Sequence, residues 1–113
     1  MNEELQDYLR HVLQAIAGVE THLGQRRQFR EFVENLTTRR AVERELEIIG
    51  EAINRILKIN PGIAITDAKA IVYTRSRIIH GYDTVDEAIL WKIVVQDLPV
   101  LKAEITTLLD ETT

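Results

Sequence analysis

Apolar residues recur at spacings of three and four along most of the chain, the pattern of helices that bury one face. Between residues 3 and 23 the stripe is Leu5, Leu9, Val12, Ile16, Val19 and Leu23, widened by Tyr8 and Leu13, with Gly24 as a stop. A short helical turn is predicted at Phe29 to Val33, where two aromatics and a valine can cap one end of a core. Thr37 or Thr38 offers an N-cap for a long helix to about Ile59, with Val42, Leu46, Ile49, Ile53 and Ile56 inside. Asn60, Pro61 and Gly62 end it, because the residue before a proline avoids the helical region.

Thr66 or Asp67 can cap a fourth helix from Ala68 to about His80, with Gly81 placed for a left-handed C-terminal cap. Thr84-Val85-Asp86-Glu87 matches a capping box and opens a fifth helix, whose inner side is Ile89, Ile93, Val94, Leu101, Ile105 and Leu108. Pro99 lacks an N–H and should kink or restart that helix near Asp97. No strand pattern, repeat or low-complexity tract interrupts this order. The expected fold is all-α: a single domain over residues 1–113, an antiparallel bundle of four main helices with a short extra helix.

Composition narrows the setting. A chain of 113 residues suits one domain, 45% hydrophobic residues suffice for a core, and 28% charged residues suit a solvated surface. No apolar run approaches the ~18 to 20 residues that cross a bilayer, and the polar start MNEELQDY is unlike a signal peptide, so the expected location is the cytoplasm. The absence of cysteine fits that compartment and excludes disulfides and thiolate metal sites. A net charge of -4 means the bulk field does not attract nucleic acid, so any RNA role must use a local basic concentration. RRQFREF, Arg39 with Arg40, and Arg75 with Arg77 are the candidates.

Two residues break the pattern of the fourth helix. Ala68, Ile71, Val72, Ile78 and Ile79 share one direction within roughly 60°, and Arg75 lies in the middle of that arc. An arginine there needs a partner, a cleft or a subunit boundary. His80 follows five positions later, about 140° away on an ideal helix. The two can converge if the helix ends at His80 and Gly81 turns the chain back, or across a two-fold axis. At a helix C-terminus the macrodipole favours the protonated imidazole, which suits acid–base work.

Other groupings point to structure. His11 and His22 lie on nearly one face but ~16 Å apart, too far to share an ion, and no metal site is expected. Glu43, Glu47 and Glu51 recur one turn apart, and Arg40, Arg44 and Arg55 can neutralise them. Mid-helix Gly50 predicts close approach by another helix, and Ala41, Ile48 and Ala52, off the main stripe, could form a second contact surface such as a dimer interface.

The segment RSRIIHGYDTVDEAILWKIVVQDLPVL resembles the C-terminal half of the HepT-like family of the HEPN superfamily, and RRAVERELEIIGEAINRI resembles its middle helix. With the helix between them, these segments cover most of residues 39 to 101. The Arg75-x4-His80-x-Tyr82 pattern, followed by Asp83 and a tryptophan-bearing helix with Asp97-Leu98-Pro99, makes the likeness specific. Ser76 stands where the family commonly has asparagine; its hydroxyl can still donate and accept a hydrogen bond. The resemblance implies a ribonuclease toxin of a type II toxin–antitoxin pair, a homodimer whose two motifs line one cleft and cleave RNA with no metal or other cofactor. It assigns proton transfer to His80 and phosphate stabilisation to Arg75, with Glu51 and Asp86 as candidate supporting acids. It implies that a minimal nucleotidyltransferase of the MntA kind is the partner antitoxin and silences the toxin by adding AMP to Tyr82. A non-catalytic dimer that binds such a partner or a nucleotide is the alternative.

Overall fold

The structure, a computed structural model, describes residues 1–25, 28–79 and 87–111, with side chains outside 75–79. Helix α1 spans Glu3–Leu23, α2 Phe29–Glu34, α3 Leu36–Ile59, α4 Ala68–Ile79, α5 Glu87–Lys92 and α6 Leu98–Asp110, with a π-helical turn, Ile93–Asp97, joining the last two. The described residues are all-α, as the periodicity predicts.

The ends of α1 and α3 follow from side-chain chemistry. Asn2 accepts a hydrogen bond from the Leu5 N–H at 2.7 Å, and Gly24 closes α1 at φ 67°, where glycine has no steric cost. Asn35, not Thr37 or Thr38, caps α3: its Oδ1 accepts from the Thr38 N–H at 3.0 Å. An asparagine oxygen reaches the third N–H of a helix readily, so α3 starts at Leu36, ahead of both threonines.

Helices α1 and α3 run antiparallel, since Gly18 lies beside Glu45 while Tyr8 lies near Arg55. Their facing stripes form the core, with Leu9, Val12, Val42, Ile49, Ile53 and Ile56 fully buried. Helix α4 packs on α3 and contributes Ala68 and Ile71, and α6 closes the core with Leu98, Leu101 and Ile105. Burial of this kind contributes on the order of 25 cal/mol per Å² of apolar surface, the main force holding a domain without disulfides.

Of the two residues expected to cap α4, Asp67 holds the position before its first residue. Thr66 does not cap α4; its N–H and hydroxyl both donate to the Glu104 carboxylate on α6. The Asp67 carbonyl takes the first bond of α4, from the Ile71 N–H at 3.2 Å, with Asp67 at φ 58°.

Near Pro99 the helix restarts at Leu98, as expected, through a widened turn. The Leu98 N–H donates to the Ile93 carbonyl, five residues back, and Pro99 then enters α6 in its first turn, where its missing N–H costs least. Leu90, fully buried, holds the core position of α5. Ile89 is 53% exposed, contrary to its place on the predicted inner side, because one residue rotates a helix by about 100°.

Candidate functional site

The motif sits at the junction between α4 and α5. Arg75 and Ser76 lie on the backbone of α4, whose described part ends at Ile79, directly before His80. Ala68 and Ile71 bury one face of this helix, Val72 packs beside them, and position 75 falls one turn further along that face. His80, Gly81, Tyr82, Thr84 and Asp86 lie outside the described residues, as do Arg26 and Arg27 of the RRQFR cluster.

What is described is the frame that delivers the chain to and from the motif. On the far side, α5 is held by three contacts of different kinds. Leu90 is in the core. Trp91 lies against Phe32 at 5.3 Å and Phe29 at 6.1 Å between ring centroids, in tilted arrangements favourable for aromatic pairs. Glu87, the first described residue of α5, pairs with Arg39 at 3.4 Å, and Arg39 also donates to the Val33 carbonyl at 2.8 Å. Arg39 and Glu87 are distant in sequence and belong to no common periodic stripe, so only the fold reveals them as partners.

Glu51, a candidate supporting acid, is half-buried in the middle of α3 and pairs with Arg55 at 2.9 Å. That hydrogen bond and charge, with a smaller contribution from Tyr8, raise Arg55 above its ordinary pKa. The neighbouring pairs are Arg40 with Glu43 at 3.5 Å and Arg44 with Glu47 at 3.0 Å, so the acidic series on α3 is neutralised as its spacing predicts. Arg30 pairs with Glu34 and Arg10 with Asp7, so every arginine whose side chain is described is engaged by a carboxylate.

A groove of about 520 Å³ runs between α1 and α3, lined by Tyr8, His11, Gln14, Arg44, Ile48, Glu51 and Ala52 among others. Its described walls come from α1 and α3. Ala52 is buried and Ile48 half-buried on this wall, which gives the off-stripe apolar residues of α3 a place against α1. His11 meets Tyr8 edge to face at 6.2 Å. Among the described residues no group of three histidines and carboxylates converges as for a metal ion, and no helix is long and apolar enough to cross a membrane.

Comparison with known proteins adds the family. The model of the family described as Ribonuclease HepT-like matches residues 3–108. A protein described as a probable ribonuclease HepT from Thermococcus cleftensis is 34% identical over 108 residues, covering 92% of this chain and 94% of that one. A candidate RNase from Methanocaldococcus jannaschii is 40% identical over 78 residues, 68% of this chain and 72% of the relative. Another, from Caldanaerobacter subterraneus subsp. tengcongensis, is 31% identical over 106 residues, 92% and 93% of the two chains. No solved structure matches at a comparable level.

Proposed function

Because the chain belongs to the HepT-like ribonuclease family, we propose that it is an endoribonuclease that cleaves RNA without a metal ion, as the toxin of a type II toxin–antitoxin pair in the cytoplasm. The observation that carries this reading is the family match over residues 3–108, a span that includes the Arg75-x4-His80-x-Tyr82 motif. In this reading His80 handles the proton of the ribose 2′-hydroxyl or of the leaving oxygen, near neutral pH where an imidazole can do either. Arg75 stabilises charge on the phosphate through its planar fork of donors, and Ser76 supports it through its hydroxyl. Asp86 or Glu51 supplies a further acid. Two copies of the chain form a homodimer, with both motifs lining one cleft.

The pairing of each described arginine with a carboxylate supports a local mode of RNA contact. A body of net charge -4 whose described guanidinium groups are engaged has little field to gather a polyanion. Phosphate contact is then left to arginines outside those pairs, Arg75 and Arg77 at the motif itself first among them. Tyr82, two residues after His80, is the position a minimal nucleotidyltransferase antitoxin would modify with AMP; the added phosphate charge and bulk block RNA entry.

RNA cleavage by purified protein in EDTA tests the mechanism, with His80→Ala and Arg75→Ala alongside. Activity in EDTA that both substitutions abolish is expected. Activity that needs a metal, or that survives both changes, would falsify the mechanism. The mass of the Tyr82 peptide from cells that carry the nucleotidyltransferase tests the silencing step.

The same engaged arginines, together with Ser76, favour a second reading: a non-catalytic dimer that binds a nucleotidyltransferase partner or a nucleotide. Stable co-purification with such a partner, with no cleavage by protein unmodified at Tyr82, selects that reading over the first.

A further inference from the structure

We propose that Arg39 is a positioning residue for the motif, acting through Glu87; the proposal rests on the ribonuclease reading above. Helix α5 continues through the π-helical turn into α6, so its far end is held by the core, and its first described residue, Glu87, lies farthest from that hold. Leu90 and Trp91 fix its second half, through the core and through Phe29 and Phe32. Neither reaches its first residue. Glu87 lies one turn before Trp91 on the same face of α5, the face turned to α2 and α3, and its carboxylate meets Arg39 at 3.4 Å. Arg39 is itself anchored, donating at 2.8 Å to the carbonyl of Val33 in α2. With its side chain 21% exposed, the guanidinium has lost much of its water, so its partners hold it in one place.

The tie acts on the motif through the chain. Asp86 immediately precedes Glu87, and Tyr82 and His80 precede it by five and seven positions. Helix α4 delivers the chain to the motif, Glu87 is the first described residue after it, and the Arg39–Glu87 pair sets where that residue stands. A partly exposed ion pair at this distance adds little to overall stability, so its effect is one of placement. Sub-ångström placement matters to a general acid–base group far more than to folding.

Steady-state RNA cleavage, with thermal unfolding on the same preparations, tests this in wild type, Arg39→Gln, Glu87→Gln and the charge-reversed pair Arg39→Glu with Glu87→Arg. Glu87→Gln removes the ion pair and leaves the Arg39–Val33 bond in place. We expect it to lower kcat by about tenfold with KM within about twofold and little change in Tm. Arg39→Gln should match it, and the charge-reversed pair should recover at least half of the lost kcat. Full activity in Glu87→Gln, or a loss that only follows unfolding, overturns the positioning role while the ribonuclease reading stands. A wild type that cleaves no RNA overturns that reading first, and this proposal with it.

Discussion

The Glu104 carboxylate receives two hydrogen bonds from Thr66, one from its backbone N–H at 3.1 Å and one from its hydroxyl at 2.8 Å. This single contact ties the turn before α4 to the last helix of the chain. It therefore fixes the entry of the helix that carries Arg75 and Ser76.

Removing that tie should loosen the α4 entry. Glu104→Ala takes away the acceptor of two charge-assisted bonds at an exposed site, and we expect a loss of about 1 to 2 kcal/mol. Thr66→Val removes only the hydroxyl bond and should cost about half as much. Urea unfolding of the two variants and their double mutant checks this; simple additivity of the two losses would count against a shared contact.

Gly18 and Glu45 form a second testable pair. A Cβ at Gly18 would overlap the Glu45 carboxylate, which reaches across to the α1 backbone. The obstacle is the far end of a flexible side chain beside an open groove, so Glu45 can turn aside. Gly18→Ala alone should then change stability by less than about 1 kcal/mol, because the gain in helix propensity is offset by displacing Glu45. In a Glu45→Ala background the same substitution should stabilise by about 1 kcal/mol. Thermal unfolding in both backgrounds measures the difference.

The cap of α3 is a third. Asn35→Ala leaves the Thr38 N–H without its side-chain acceptor and should cost about 1 kcal/mol, whereas Thr37→Ala should be nearly neutral. Equal effects at the two positions would contradict the observed cap.

The last prediction concerns Ser76. If the motif cleaves RNA as proposed, Ser76→Asn restores the residue common in the family and should raise kcat severalfold without changing Tm. Rates on a short single-stranded RNA decide it.

Much of this architecture was legible from the order of residues. The stripes of α1 and α3 run over several turns with few exceptions, so each element follows from its own periodicity, and Gly24 and Asn60 mark their ends by local chemistry. The inner face of α5 was not legible, because Ile89 and Leu90 are adjacent apolar residues and either can head a core stripe. Asn35 was hidden by two threonines that are also good caps. Long-range ties such as Arg39 with Glu87 and Thr66 with Glu104 leave no trace in a single sequence, since a charged or hydroxyl residue on a helix surface reads the same with or without a distant partner. The candidate site is an expectation of the sequence alone: Arg75 interrupts an apolar stripe, His80 stands before a glycine, and the side chains of both lie outside the described residues.

The wide turn at Ile93–Asp97 has a consequence for changes of length. A turn that closes over five residues instead of four holds one residue more than a continuous α-helix would. Beyond it Leu98, Leu101 and Ile105 are all buried, so the extra residue is accommodated locally and not passed down the helix. The stretch from Ile93 to Asp97 is thus where loss of a single residue is expected to be absorbed with least disturbance to the core.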